Sequence, residues 1–323
     1  MEELLQYEVL QDLIIFICAL TAAHTLPLLN SYNPNTFLSH IFERIAARVY
    51  KPECNAQLQQ TAGLLGFFLP ILTIVCIAVL ISQFAFYPAW LGGLVLYFCL
   101  DTKVQQRARR IAALLQQKQK ATAKQLLAQN VVRDVNELSS IGIAKACIDS
   151  TALKTIRHYY LIIFFYLLLG PIAALTLKLL LVNDHAWRKR IPPNSTFMKP
   201  LQTIIFYLEF LPLRGFILLL ALFLQGKKTF HYFKHYARHC YQTNTGWILS
   251  LFAANLSIQL GGPCKYQGER FAKMRIGAER HPEAEDIKHC LSLLERIKWF
   301  TFSLIALIWL LDGFITLYLN IGT

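Results

Sequence analysis

Arg133-Asp134 and Asp149-Ser150 place a guanidinium, two carboxylates and a hydroxyl in one short polar stretch. Such a set can hold an anion through the guanidinium and move a proton through a carboxylate. Asp134 falls at a helix junction where it can cap, leaving Arg133 to pair or to meet an anion. A second group brackets an apolar helical run: Asn244, Gly246 and Trp247 before it, Gly261-Gly262-Pro263, Lys265, Tyr266 and Gly268 after it. Gly before Pro is an ordinary helix stop. The polar residues at both turns suit a ligand loop, and glycine lets backbone N–H groups approach an anion closely. A third group, His231, His235 and His239, recurs every four residues and so shares a helical face. Imidazoles so spaced can hold a transition metal. Lys and Arg crowd the same segment and no carboxylate adjoins, so an interfacial amphipathic helix is expected and no metal. The eight cysteines form no CxxC pair, which signals neither a zinc site nor a redox pair.

These groups must be carried by apolar elements. Of 323 residues 55% are aliphatic or aromatic and only 16% charged, yet the net charge is +13. A soluble domain carries about a quarter charged residues, and a nucleic-acid-binding protein this basic would not spend its length on long apolar runs; no nucleic acid is expected as a partner. A helix needs roughly 20 apolar residues to cross a bilayer core. Candidate spans are 10–29, 62–82, 84–100, 156–182, 204–224 and 299–319. The expected fold class is therefore all-α: one polytopic integral membrane domain over 1–323, with about five or six transmembrane helices and amphipathic helical loops. Segments 84–100 and 204–224 carry the alternative of re-entrant or interfacial helices, since the second contains Glu209, Pro212 and Arg214.

With six crossings, loops 31–61, 101–155 and 226–298 share one face and hold 25 of the 32 Lys and Arg, against four in 183–203. The positive-inside rule makes the rich face cytoplasmic. Arg107, Arg109 and Arg110 beside a span end suit anionic lipid, worth about 1 kcal/mol per charge. The N-terminus has no basic n-region, so a cleaved signal is not expected. Glu209, Arg214 and Asp312 lie inside apolar runs, where charge suggests function, although Glu209 and Arg214 can pair with each other.

The stretch 244–268 resembles the C-terminal signature of the CobD/CbiB family of cobalamin biosynthesis. Asn244, Gly246, Trp247, Ala253, Leu256, Leu260, Gly261, Gly262, Pro263, Tyr266 and Gly268 fall in its register without a gap. Val131 to Val135 with Leu138 resembles its Val-Gly-Arg-Asp-Thr…Leu, and Ala144, Ala146, Asp149 and Ser150 follow where it has Ala, Ala, Glu and Ser. Leu211 to Arg214 is similar to its Ile-Pro-Ala-Arg, Asn33-Pro34 stands for its His-Pro, and Pro282 with Asp286-Ile287 looks like its closing segment.

The departures concern acidic groups. Where the family continues Ala-Glu-Asn-x-x-Asp, this chain has Ala152-Leu153-Lys154-Thr155-Ile156-Arg157. Its Asp-Asp appears as Ile205-Phe206, with Asp184 a remnant of another acidic segment. Its acidic residue two places after Trp is Leu249, and its Arg before Leu-Gly-Gly-Pro is Gln259.

The resemblance implies a multi-pass protein of the bacterial inner membrane, its main loops cytoplasmic, acting on a corrinoid. The activity implied is adenosylcobinamide-phosphate synthase, joining an aminopropanol-type amine to a corrinoid propionate. ATP and Mg²⁺ would be the cofactors if the chain is catalytically active. Arg133, Asp134 and Asp149 would be its catalytic cluster; Ser150, Asn244, Gly246, Trp247, Gly261, Gly262, Pro263 and Tyr266 would bind substrate. The thinned acidic motifs leave open a non-catalytic sensing or regulatory homologue, like the family's AmpE branch, and more weakly a transporter.

Overall fold

The computed structural model describes residues 2–26, 33–240 and 242–321, with side chains between Gln11 and Leu311. Thirteen helices make up about three quarters of the described residues. α1 (Glu2–Thr25) is followed by α2 (Pro34–Val49), opened by Asn33, whose side chain accepts the Asn35 N–H at 3.0 Å. α3 (Ala56–Phe84) is 29 residues long, about 43 Å at the usual helical rise. Then come α4 (Pro88–Cys99), α5 (Lys103–Gln116), α6 (Lys120–Ala128) and α7 (Ser140–Thr155). A π-helical turn, Ile156–Tyr160, joins α7 to α8 (Leu161–Leu169) without a break in direction. α9 (Pro171–Arg188), α10 (Lys199–Phe223), α11 (Gly226–His235) and α12 (Thr243–Leu256) follow, and α13 (Ala284–Ile321) closes the chain.

Among the described residues three helices are long and apolar enough to cross a membrane: α3, the continuous Ser140–Leu169 helix, and α10. Among the described residues the count is three, and five or six is not confirmed. Segment 84–100 contains only the 12-residue α4, about 18 Å long and short of a 30 Å hydrocarbon core. α13 runs on through 299–319, but side chains beyond Leu311 lie outside the described residues, Asp312 with them. Leu65, Phe68, Leu69 and Leu80 on α3, with Leu168 and Leu169 at the end of α8, stand exposed. A soluble surface avoids patches of this size, whereas lipid covers them.

Segment 156–182 is not a single span. Gly170 has φ 85 and ψ 179, a conformation open almost only to glycine, and Pro171 starts α9. The chain reverses there. Arg157 meets Leu181 and Asp184 in one cavity, at nearly equal distances along the chain from Gly170. Both ends of this helical hairpin thus lie on one face, and 183–203 joins the other loops rather than opposing them. Lys189 pairs with Glu43 at 2.5 Å, and its carbonyl accepts from Gln267 at 3.3 Å. Thr196 donates to Gln59. Adding the four cations of 183–203 to the 25 of loops 31–61, 101–155 and 226–298 accounts for 29 of the 32 Lys and Arg. α10 also has both ends there: Gln202 donates to the Pro193 carbonyl, and past the other end Lys228 reaches Ser257. By length and composition α10 stays among the helices able to cross.

Below the loops, α9 packs against α2, α3, α4 and α8; on the loop face, α7 packs against α5, α12 and the start of α13. Trp187 on α9 is fully buried against Phe67 and Phe197. Four three-residue strands depart from the all-α expectation. β1 (Gln259–Gly261) pairs with β4 (Arg275–Gly277), and between them β2 (Cys264–Tyr266) pairs with β3 (Glu269–Phe271), all antiparallel. The helical run ends at Ser257, left-handed at φ 55, so Gly261-Gly262-Pro263 sits in a hairpin and not at the helix stop.

Asp286 latches this hairpin to α13. Its carboxylate accepts the Glu283 N–H at 2.8 Å and Arg280 at 2.6 and 3.1 Å. Burial pushes the carboxyl up, but the Arg280 and Glu283 hydrogen bonds and the Arg280 charge outweigh it and hold it below the ordinary carboxylate range. A group depressed in the folded state contributes fully above its unfolded value of about 4, and that contribution fades as pH falls through the folded value. Asp286→Asn is expected to lower unfolding stability at pH 7 by about 1–2 kcal/mol, trimmed by the half-exposed Arg280. In thermal melts of detergent-purified protein, the gap to the parent should shrink below about pH 4. A gap constant from pH 7 to pH 3 would contradict the assignment.

Candidate functional site

The π turn after α7 widens the helix by one residue, a feature frequent at functional sites. Arg157 and His158 both lie in that turn and line one cavity with Lys154, Asp149 and Ser150 from α7. The opposite wall comes from the outer end of α9, with Asp184, His185 and Arg188. The Gly261-Gly262 hairpin, Tyr266 and Lys273 form a third side, and Asn130 to Arg133 a fourth. This inner cavity has a volume of about 230 Å³. A second, of about 420 Å³, shares Arg157, Asp184, Arg188 and Gln242 with it and extends along α10 past Lys199, Gln202 and Tyr207. A third, of about 360 Å³, shares Arg188, Gln242, Tyr266 and Lys273 and opens beside β3. Together they make one cleft across the loop face.

Asp149 organises the inner end. One oxygen accepts the Gly261 N–H at 3.2 Å and the other lies 4.0 Å from Arg133. Arg133 and Asp149 are thus brought together as the sequence suggested, and Ser150 lines the same wall while donating to the Cys147 carbonyl. Asp134 stands apart. It caps no helix; its backbone N–H donates to the Lys265 carbonyl and its exposed carboxylate accepts the Gly268 N–H at 2.8 Å. Its observed contacts fasten the β2–β3 turn.

The signature glycines differ from their expected use. The Gly261 N–H is taken by Asp149 and the Gly262 N–H by the Met274 carbonyl, so neither amide is left to face an anion. Pro263 is exposed beside them. Tyr266 lines two of the cavities, its hydroxyl accepting from Lys273 at 2.8 Å. Gly246 serves packing: a Cβ there would lie 2.7 Å from that of Cys240. Trp247 stacks on Phe233 at 4.5 Å between ring centroids and is absent from the cleft lining.

Asn244 lines the outer part of the cleft and ties it together. Its amide donates to the Phe206 carbonyl and to Glu209, and its oxygen accepts from Arg214 at 3.1 Å. Glu209 is fully buried and pairs with Arg157 at 3.0 Å, so Glu209 and Arg214 communicate through Asn244 rather than directly. Arg157 also donates to Thr245 at 3.3 Å. Asp184 pairs with Arg188 at 2.7 Å, while its other oxygen is buried without a hydrogen bond.

Sequence reasoning missed Lys154, His158, His185, Arg188, Gln242 and Lys273 as cleft residues. Lys154 and Arg157 were noted only as losses of polar or acidic positions. The three histidines do not share a helix: α11 ends at His235, and His239 lies on a separate 3₁₀ turn, Ala237–His239.

A family model described as "CobD/Cbib protein" matches residues 18–294. The chain is 25% identical over 206 residues to the "Cobalamin biosynthesis protein CobD" of Chromobacterium violaceum, covering 64% of this chain and 66% of that protein. It is 24% identical over 234 residues to the protein of the same name from Stutzerimonas stutzeri, covering 72% and 77%. A Synechocystis protein of that name is 32% identical over 169 residues, 48% of each chain. The alignments thus span just under two thirds of the first relative and about half of the third. No solved structure matches the chain.

The Arg157–Glu209 pair joins the hairpin to α10, and removing one partner would strand a buried charge, at a cost of roughly 3–5 kcal/mol. Glu209→Gln is therefore expected to lower thermal stability sharply in detergent, and Glu209→Leu combined with Arg157→Met to recover most of the loss. Unchanged stability in Glu209→Gln would show that the pair does not hold these elements together.

Proposed function

The chain belongs to the CobD/Cbib family, and on that premise we propose that it is a membrane protein of cobalamin biosynthesis acting as an adenosylcobinamide-phosphate synthase. In this reading the amine of an aminopropanol-type substrate displaces an activated oxygen at the carbonyl carbon of a corrinoid propionate, forming an amide. We place it in the bacterial inner membrane with the cation-rich loop face in the cytoplasm, following the positive-inside rule.

The observation that carries the reading is that separate family motifs converge on one cleft. Arg133, Asp149, Asn244, Gly261, Gly262 and Tyr266 come from two distant parts of the chain and line connected cavities. A corrinoid is too large for the 230 Å³ inner cavity, so its ring would lie across the outer cleft with one propionate arm reaching inward. Arg133 and Lys154 would meet that carboxylate, as cations do developing or resident negative charge. Asp149, held between Arg133 and the Gly261 N–H, would fix the hairpin against α7 and so set the depth of the inner end.

An ATP-driven ligation would bring phosphates and Mg²⁺, supplying activation of the carboxylate. The cleft cations suit the phosphates. The carboxylates do not suit the metal: Asp149 is paired with Arg133, Glu209 with Arg157 and Asp184 with Arg188. Among the described residues no cluster of three His, Cys, Asp or Glu is placed to hold a metal ion. The regulatory reading finds no support among the relatives above, all of which carry the CobD name.

The test is complementation of a host lacking adenosylcobinamide-phosphate synthase, fed cobyric acid under cobalamin-dependent growth, with membrane expression checked by immunoblot. Growth is expected, abolished by Asp149→Ala in a variant expressed to the same level. Absence of growth from well-expressed parent would contradict the proposed reaction on that substrate.

A further inference from the structure

The outward side of α11 carries charge that the cleft does not use. Along α11 and the 3₁₀ turn after it, exposed side chains recur at 227, 230, 231, 234, 235, 238 and 239, the spacing of one helical face. Lys227, Lys234 and Arg238 lie on that face, with the imidazoles of His231, His235 and His239 among them. Phe230 stands in the same stripe, 42% exposed. The stripe has no carboxylate, and from 210 to 268 the chain contains no Asp or Glu at all. Among the described residues no carboxylate comes within ion-pair distance of Lys227, Lys234 or Arg238. The opposite side is packed: Thr229 and Phe233 are buried, and the Phe233 ring lies 4.5 Å from that of Trp247 on α12.

Neighbouring residues set the level of this stripe against the bilayer. α10 ends in exposed Leu222 and Phe223, and only Leu224 and Gln225 separate it from α11. The Phe223 ring stacks on Phe300 of α13 at 4.1 Å. On α13, Lys298 is the last charged residue before a run that exposes Leu307, Ile308, Leu310 and Leu311. Trp299, 67% exposed, follows it with the Lys298 ammonium 5.7 Å from its ring centre. Aromatic rings placed between a charged and an apolar stretch mark the headgroup level of a membrane. α11 therefore starts at the edge of the hydrocarbon. A helix facing bulk water there would mix both signs of charge, whereas cations with one outward aromatic suit a layer of anionic headgroups.

We propose that the outward stripe of α11 and its following turn docks on anionic lipid headgroups of the bilayer in which the protein sits. Lys227, Lys234 and Arg238 supply the attraction, Phe230 enters the boundary between headgroups and acyl chains, and the histidine N–H groups donate to phosphate oxygens. Because Phe233 and Trp247 pack α11 onto α12, the same contact fixes the level of α12 and of the β1–β4 hairpin after it. Docking requires only that the protein be embedded in a membrane, so it stands or falls apart from the synthase reaction.

The experiment uses the full chain with its eight native cysteines replaced and one introduced, His235→Cys, carrying a bimane label. The protein is reconstituted in nanodiscs of phosphatidylcholine alone or mixed with phosphatidylglycerol, each containing a lipid brominated near the headgroup end of its acyl chains. Quenching of the label reads the contact. Phosphatidylglycerol is expected to raise the quenching about twofold or more, as charge attraction to an anionic surface does. Salt at about 1 M, which shortens the screening length to about 3 Å, should reverse most of that rise. Lys227→Gln, Lys234→Gln and Arg238→Gln together should make the two lipid mixtures quench alike. If the triple variant does not fold, the salt reversal on the parent decides alone. Equal quenching of the parent in both mixtures, or a phosphatidylglycerol effect that survives salt, would overturn the proposal. So would a label unquenched in either mixture and open to aqueous iodide, which would give the stripe to a soluble acidic partner.

Discussion

Proline carries no backbone N–H, and its ring collides with the carbonyl four residues back in a continuing helix. Glycine before it can take the conformation that turns the chain around, and at Gly170-Pro171 it does so. The apolar run becomes a helical hairpin whose two ends meet at one cavity. The cleft follows from that reversal. Arg157 and His158 arrive on the outgoing arm, Asp184, His185 and Arg188 on the returning one, and the two sets close on one cavity. Had the chain continued straight, α9 would have carried its three polar residues to the opposite side.

Charge explains how the cleft remains folded. Burying Arg157 unpaired would cost several kcal/mol, and Glu209 on α10 meets it. Where the family pattern carries an acidic residue, this chain has Arg157, and the balancing carboxylate is found on a different helix. Asp184 with Arg188 repeats the arrangement on α9. The thinned acidic motifs are therefore in part a redistribution: carboxylates serve as partners for arginines within the walls, and the remaining positive charge faces the cavity. A cleft of this polarity suits acidic ligands.

Some of this was legible in the residues and some was not. The uninterrupted apolar length of α3 announced a helix able to cross a bilayer, and the gapless run from Asn244 to Gly268 announced the family by its register. The reversal at Gly170 was not legible, because a Gly-Pro break inside an apolar run is equally consistent with a kinked span. Strands of three residues are too short to show alternation, so the hairpin carrying Gly261 and Tyr266 could not be distinguished from a helix stop. Lys154 and Arg188 look like surface cations in sequence, since one charged residue does not reveal which cavity its helix faces. Asp134 was grouped with Arg133 by adjacency and by the family pattern; neighbouring residues on an irregular segment point different ways, and its carboxylate went to the β2–β3 turn.

The outer end of α9 meets the hairpin of the C-terminal loop on one face. In the structure the Lys189 carbonyl accepts from the Gln267 side chain at 3.3 Å. Lys189→Cys and Gln267→Cys, placed together in a background with the eight native cysteines replaced, bring this contact to a direct reading in intact membranes. A short bis-maleimide should join the two positions within one chain, detected after cleavage at a protease site engineered between them. Cross-linking at the level of single-cysteine controls, with both cysteines reactive, would place α9 across the membrane from the hairpin and contradict the account.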